Sequence, residues 1–349
     1  MGYIDLRSDT VTLPTLAMRE AMAAAELGDD VFGEDPTVNR LQEKAAEMLG
    51  QEAGLLVTSG TQGNLVSLLA QSHPGDEVLL EADSHVYNNE VAGLSRVAGL
   101  SPRPIAGLHG HFSGDQVAES LRPLNVHFPR TSVVCLENTH NAAGGTVLSL
   151  EQQREITAVA GEHGLRVHVD GARIFNAAVA LGVPASRLTE GVNSLTFCLS
   201  KGLSCPVGSV VVGTPAFIEK ARRARKLLGG GMRQAGIIAA AGVVALDTMV
   251  DRLAEDHATA QLLAEGVANL SDLRIDLESV QSNIVIFDVA PLGVTAADFV
   301  AALGPRGLGA LTKTRTLVRC VTHHGIERED IEGALGILEE TVGSLQHRS

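Results

Sequence analysis

The sequence predicts an α/β protein: a large domain whose mostly parallel sheet is covered by helices on both faces, and a smaller α+β C-terminal domain. Two patterns carry this expectation. From about residue 40 to 230, short β-branched runs alternate with helical patterns, which is the βαβ signature of a parallel sheet buried on both sides. A long helical pattern from Gln234 to about Leu270 then separates this region from a tail with its own strands. At roughly 150 residues per domain, a chain of 349 residues accommodates two. The division is placed near residue 250, inside the helical pattern, giving a large domain over 1–250 with an N-terminal arm over about 1–20, and a small domain over 251–349.

In chain order, strands are expected at the run ending in Val57, at Val78 to Leu80, Ser132 to Leu136, Val167 to Val169, Ser194 to Phe197 and Val210 to Val212. A helical pattern fills Leu150 to His163. Ala235 to Leu246 is a stretch of 12 uncharged residues rich in Ala and Gly. It is well short of the ~20 residues a bilayer span needs and reads as a buried helix. The tail offers strands at Ile284 to Phe287 and Leu317 to Val321, then a closing helix from about Glu327 to Leu345.

Composition excludes several functions. The chain is 45% hydrophobic but only 3% aromatic, without Trp, so it lacks the stacking platforms of single-strand nucleic-acid binders. Its net charge of −14 repels phosphate backbones, and an anionic ligand needs a local basic site. Cys135, Cys198, Cys205 and Cys320 show no CxxC or zinc spacing. The pairs His109/His111 and His323/His324 have no carboxylate or cysteine at ligand spacing, so no metal is expected. Asp5 interrupts the segment where a signal peptide would be apolar, and a reduced cytoplasmic chain is the simplest reading.

Residues able to carry chemistry fall at strand ends. Period-2 alternation sends Val167 and Val169 to one face and His168 and Asp170 to the other. Asp170 falls where the strand ends, just before Gly171, and ligands of open α/β sheets bind at the carboxyl ends of strands. A turn or capping Asp would look the same. Lys201, in Cys198-Leu199-Ser200-Lys201-Gly202, follows another apolar strand. Most lysines are solvated, but a desolvated amine at such a place is a nucleophile suited to Schiff-base chemistry. Thr58-Ser59-Gly60-Thr61-Gln62-Gly63-Asn64 leads from a strand into a helix, and its small residues leave N–H groups for a phosphate. Ordinary capping would use the same residue types. His85 follows the strand at Val78 to Leu80, where its ring can stack on a planar group. His127 precedes the next strand, as either a site residue or a loop histidine. Lys226 and Arg233 flank Gly229-Gly230-Gly231, either an anion-binding loop or a basic helix end with a glycine stop.

A phosphate cradle, a stacking ring, a carboxylate and a lysine, in that order along a parallel α/β domain, are the parts that hold pyridoxal 5′-phosphate. The carboxylate keeps the pyridine nitrogen protonated and the lysine holds the aldehyde as an imine.

Seven spaced stretches extend this over essentially the whole chain. They are Asp5-Leu6-Arg7-Ser8-Asp9-Thr10-Val11-Thr12, residues 28–38 around Asp29-Asp30-Val31-Phe32-Gly33, Ser59-Gly60-Thr61-Gln62-Gly63-Asn64, Leu136-Glu137-Asn138-Thr139-His140-Asn141, residues 168–176 around Asp170-Gly171-Ala172-Arg173, Cys198 to Leu203, and Gly229-Gly230-Gly231-Met232-Arg233-Gln234. With them the sequence resembles the low-specificity L-threonine aldolases, a family of fold type I pyridoxal-phosphate enzymes. The resemblance implies that Lys201 forms the Schiff base, Asp170 pairs with the pyridinium, His85 stacks on the ring, and Gly60 and Thr61 hold the phosphate. Ser8, Arg173 and Arg319 resemble the family's clamp on the substrate carboxylate, Arg173 also bordering the cofactor. Lys226 and Arg233 resemble residues that reach the phosphate region across a subunit interface, which implies a homodimer or homotetramer. Phe32 stands where a tyrosine is expected, so no phenol hydroxyl acts there.

The implied reaction is retro-aldol cleavage of L-threonine or L-allo-threonine to glycine and acetaldehyde, and its reverse, with His85 or His127 as the base. Histidine titrates near ~6.5, which suits that role. The alternatives are another reaction of the same cofactor, β-elimination or transamination, and a non-catalytic pyridoxal-phosphate-binding regulator. No nucleic-acid or membrane partner is expected.

Overall fold

The computed structural model describes residues 2–346. Near the amino terminus Ile4–Asp5 forms a short strand, β1. Seven further strands build one sheet: β2 (Ala53–Val57), β3 (Glu77–Glu81), β4 (Ser101–Ile105), β5 (Thr131–Glu137), β6 (Arg166–Asp170), β7 (Ser194–Cys198) and β8 (Ser209–Gly213). Their spatial order is β2-β8-β7-β6-β5-β3-β4. The pairs from β7 to β4 are parallel, and β8 runs antiparallel to both β2 and β7. Every residue of β3, β7 and β8 is buried, because helices cover both faces.

On one face, the helices Leu16–Ala23, Pro36–Met48, Leu150–Glu162, Ile174–Leu181 and Gly236–Thr248 pack Met18, Leu41, Ile156, Ile174 and Ala239 into the main core. On the other face, Gly60–Gln71 and Pro215–Leu227 pack through Val66, Phe217 and Ala221. Local chemistry starts these helices where they start. Asp35 accepts from the Thr37 and Val38 amides ahead of Pro36, and Ser149 and Gln152 form a reciprocal capping box.

The β4 strand, Ser101-Pro102-Arg103-Pro104-Ile105, lies at the edge of the sheet. Edge positions tolerate proline because one side of the strand has no ladder to complete. The Ser101 amide donates to Asp76 and the Ile105 carbonyl accepts from Ala82, so 101, 103 and 105 face β3 while Pro102 and Pro104 face outward.

Residues beyond 270 add a four-stranded antiparallel sheet, order β12-β13-β10-β9, made of β9 (Arg274–Ile275), β10 (Ile284–Asp288), β12 (Leu311–Thr312) and β13 (Leu317–Val321). The short strand β11 (Leu308–Gly309) pairs in parallel with β1. Ile4 and Leu6 are buried with Leu263, Phe287, Phe299 and Leu338 in this second core, so the start of the chain packs with its end.

The helical pattern expected as one element from Gln234 to about Leu270 is two helices, Gly236–Thr248 and Leu253–Ala268, joined by a turn at 249–252. Two cores pull on it. Ala239, Ala241 and Leu246 belong to the main core, and Ala260, Leu263 and Val267 belong to the second. A turn between them lets each segment present its apolar face to its own core. All four cysteines are free and buried. Among the described residues, no helix is long and apolar enough to cross a membrane.

Candidate active site

The carboxyl ends of the parallel strands open onto a cavity of about 200 Å³ lined by Gly60, Thr61, His85, Asp170 and Lys201. Five residues expected from four separate stretches thus meet at one place. Gly60 and Thr61 form the first turn of the helix Gly60–Gln71, and the Ser59 hydroxyl caps it by accepting from the Gln62 amide. A Cβ on Gly60 would sit 2.9 Å from Cys198 Sγ, so glycine lets this turn approach the end of β7.

Asp170 is the last residue of β6 and is buried. Its Oδ1 accepts from the Ala172 amide at 3.1 Å and its Oδ2 from Asn64 Nδ2 at 2.9 Å. Behind Asn64 runs a buried polar chain. Asn64 Oδ1 is 3.1 Å from His168 Nε2, His168 Nδ1 is 2.8 Å from Ser194 Oγ, and Ser194 Oγ accepts from Gln71 Nε2 at 2.7 Å. Burial pushes the His168 pKa down to about 4, so the ring is neutral at neutral pH. Asn64 spends its amide protons on carboxylates, so its Oδ1 must accept, His168 carries its proton on Nε2, and Ser194 donates to Nδ1.

His85 opens a short helix directly after β3. Its backbone N–H donates to Glu137 Oε2 at 2.6 Å, and its Nδ1 lies 2.9 Å from Glu90 Oε1. The Glu90 bond raises the His85 pKa above its ordinary value against the effect of burial, with Asp170 and Glu137 adding to the rise. Burial raises the Glu90 carboxyl, and the nearby Asp170 charge adds to it. Lys201 sits in the loop after β7, its carbonyl accepting from Thr12 Oγ1 at 3.0 Å.

A second group lies beside the cavity, three residues past Asp170. Buried Arg173 donates to Asp9 through Nε at 2.6 Å and Nη2 at 2.7 Å. Burial alone would raise the Asp9 carboxyl, but the Arg173 guanidinium overrides it and holds Asp9 well below the usual carboxylate range. The remaining Arg173 Nη1 is 3.4 Å from Asn141 Oδ1, to which Arg319 Nη1, from β13, donates at 3.2 Å. Arg319 Nε is buried without a hydrogen-bond partner among the described residues. Ser8 is the neighbour of Asp9, and its hydroxyl accepts from the Thr10 amide. Two guanidinium groups, one from the loop after β6 and one from β13, therefore meet at one neutral oxygen, an arrangement matched to a carboxylate.

Three expected residues stand apart from the cavity. Lys226, in the last turn of Pro215–Leu227, and Arg233 are exposed, and Arg233 pairs with Asp29 at 3.0 Å. The loop between them still touches the cradle, because Gly230 packs against the Gln62 amide group. His127 is exposed in the loop before β5, at the amino end of a strand whose carboxyl end faces the site. Its own chain does not bring it to the cavity. Phe32 is exposed in the turn Asp30–Phe32. Asp9, Asn64 and Asn141 lay within recognised stretches, but only the fold gives them partners. Glu90 had no sequence signal.

The beta-eliminating lyase family model matches residues 5–290. Over 354 residues the chain is 41% identical to low-specificity L-threonine aldolase 1 of Arabidopsis thaliana, covering 100% of this chain and 99% of the plant protein. The chain belongs to the threonine aldolase family. This family member is also 44% identical over 331 residues to the low specificity L-threonine aldolase of Escherichia coli strain K12, with 94% of this chain and 96% of the bacterial one covered. Among solved structures, a threonine aldolase of Leishmania major superposes with a TM-score of 0.83 at 18% identity, covering 97% of this chain and 99% of the other. The fold is that of the fold type I pyridoxal-phosphate enzymes. The cavity of this threonine aldolase family member fits that cofactor by its donor set, namely an amine, a carboxylate, an imidazole and a helix N-terminus.

Proposed function

We propose that this protein is a pyridoxal-phosphate-dependent aldehyde-lyase that cleaves L-threonine and L-allo-threonine to glycine and acetaldehyde, and runs the reverse addition of glycine to aldehydes. The observation that carries this reading is the meeting of Lys201, Asp170 and His85 in one strand-end cavity beside the convergence of Arg173 and Arg319. Identities of 41% and 44% to proteins named for this activity support it.

In this reading Lys201 would hold the cofactor through its aldehyde, Asp170 would pair with the pyridinium nitrogen, His85 would stack on the ring, and Gly60 and Thr61 would hold the phosphate at the helix N-terminus. The cofactor, when bound, supplies an electron sink for the bond that breaks. Ser8, Arg173 and Arg319 grip the substrate carboxylate, Arg173 also bordering the cofactor. That grip turns the amino acid so that Cα–Cβ is the bond aligned for cleavage. His85 takes the β-hydroxyl proton, since it lines the cavity and His127 does not. A role for His127 requires a neighbouring subunit.

Lys226 and Arg233 reach the phosphate region of a partner subunit, which makes a homodimer the smallest active unit and a homotetramer its larger form. Their exposure and the contact of Gly230 with Gln62 support this. Four unpaired cysteines support a cytoplasmic setting.

The test is product analysis after the cofactor-loaded protein is incubated with L-threonine or L-allo-threonine. Glycine with acetaldehyde is expected. 2-Oxobutyrate would establish β-elimination, the second reading, which the family's description favours. No product from either substrate would make the protein a non-catalytic cofactor binder.

A further inference from the structure

Glu90 has no part in the roles above, yet its carboxylate is buried at 6% exposure in the wall of the cavity. Its Oε1 accepts from Asn64 Nδ2 at 2.8 Å and faces His85 Nδ1 at 2.9 Å. A carboxylate removed from water is held where it is because its partners compensate the lost hydration. Here the partners are oriented. The neutral His168 donates to Asn64 Oδ1, which turns the two N–H bonds of the Asn64 amide toward the carboxylates of Glu90 and Asp170. One side chain thereby fixes both acids.

The only proton that His85 can direct at Glu90 is the one on Nδ1, so the ring is held in the tautomer whose Nε2 lone pair is free. A purely structural role explains less. The backbone of His85 is already anchored by Glu137 Oε2, and Asp83 by Glu81, so the loop does not need Glu90 to stay in place.

We propose that Glu90 is a positioning residue of the aldol reaction: it accepts Nδ1–H of His85 and so presents Nε2 to take the β-hydroxyl proton of the substrate. The inference rests on the reading of His85 as the base. After transfer the proton resides on Nε2, and the new positive charge of the ring lies against the Glu90 carboxylate, 2.9 Å from Nδ1. The charged groups that face His85 are Glu90, Asp170 and Glu137, with the Lys201 amine lining the same cavity. Of the three carboxylates Glu90 gives the largest share of the rise in its pKa.

The test uses the cofactor-loaded Glu90→Gln protein, with the conservative Glu90→Asp beside it. Three quantities are measured: the pH profile of kcat for L-threonine cleavage, KM, and the titration of His85 by NMR of histidine-labelled enzyme, the signal being assigned by its loss in His85→Asn. His85 acts unprotonated, so activity falls as pH drops through its pKa. Removing the negative charge lowers that pKa. Glu90→Gln is therefore expected to move both the acid limb and the NMR titration to lower pH by about one unit or more, to lower kcat by roughly 10-fold or more, and to leave KM and cofactor absorbance close to the wild type. Glu90→Asp, which keeps the charge, should move both less. If Glu90→Gln does not accumulate, Glu90→Asp alone carries the test through a smaller shift in the same direction. If neither the limb nor the NMR titration moves, Glu90 does not act on His85 and the inference is overturned. If the NMR titration moves and the limb does not, the inference is overturned because His85 is not the base. Cleavage by the wild type is scored separately, so failure of the aldolase reading itself is distinguishable.

Discussion

Arg173 and Asp9 form a two-point buried pair, Nε to Oδ2 at 2.6 Å and Nη2 to Oδ1 at 2.7 Å, that leaves Nη1 facing Asn141 Oδ1 at 3.4 Å. The residues are 164 positions apart, so the pair ties the first turn of the chain to the strand-end loop that carries the site. Its geometry decides which nitrogen of Arg173 remains for a ligand.

Replacing Asp9 by Asn should strip the arginine of its partner. Breaking a buried ion pair from one side costs about 3–5 kcal/mol, to be read as a lower midpoint in urea denaturation at neutral pH. The folded Asp9 carboxyl is held well below its ordinary value. Its contribution is therefore complete above the unfolded pKa of ~3.9 and is lost as pH falls toward the folded value. The stability gap between wild type and Asp9→Asn should close in acid below about pH 4. A gap that stays constant down to strong acid would show that the pair does not hold Asp9 ionised.

Arg319 makes its bond to Asn141 from β13, and its Nε has no partner among the described residues. Arg319→Ala should reduce cleavage of L-threonine by roughly 100-fold, the size expected for losing charged hydrogen bonds to a carboxylate. Cofactor absorbance should survive. Exchange of the glycine α-proton, measured by NMR in deuterated buffer, should rise relative to cleavage because the carboxylate no longer sets which bond is aligned. Cleavage at the wild-type rate would remove Arg319 from the clamp.

His168 is buried and neutral down to about pH 4, whereas an unfolded histidine takes a proton near 6.5. The unfolded chain therefore binds more protons between these values, and the contribution of His168 to stability falls as pH drops from 6.5 to 4. Glutamine at this position can still donate to Asn64 but does not titrate. The stability advantage of wild type over His168→Gln should shrink across that window, by up to about 3 kcal/mol. A difference independent of pH would mean that the ring is already charged in the fold.

Lys201 and the glycine loop can be tested together. Lys201→Ala should be colourless and take no borohydride label, while the wild-type label should sit on the peptide carrying Lys201. Label on Lys226 instead would overturn the assignment. If Arg233 acts on a partner subunit, mixing inactive Lys201→Ala with inactive Arg233→Ala should restore part of the activity through hybrid dimers. Demonstrated subunit exchange without recovery would place Arg233 in its own subunit's chemistry.

What the sequence makes legible follows from range. Asp170 and Lys201 stand out because strand periodicity places each at the end of a buried run, and the Gly60 turn because a strand, small residues and a helix follow one another. The fold class is legible for the same reason. Strand β4 is not, since Pro102 and Pro104 erase the β-branched signal that marks its neighbours. The break at 249–252 is invisible because nothing there disfavours a helix locally, and only two separate cores demand a turn. Glu90 reaches His85 through the turn at Asn88 and Asn89 rather than through a spacing any template contains. Asp9 and Asn141 gain meaning only from partners far along the chain.

The two prolines of β4 have a consequence at the scale of the colony of molecules rather than of the single one. Both lie on the outward side of the last strand, where their nitrogens carry no hydrogen to offer an arriving strand. This edge of the sheet is thereby disfavoured as a template for strand addition, the route that leads toward fibrils. When crowding or heat brings two copies together, an arriving strand finds no N–H donor at either outward position of β4. Two residues that do not line the cavity thus shape how copies of the chain can meet along this margin of the fold.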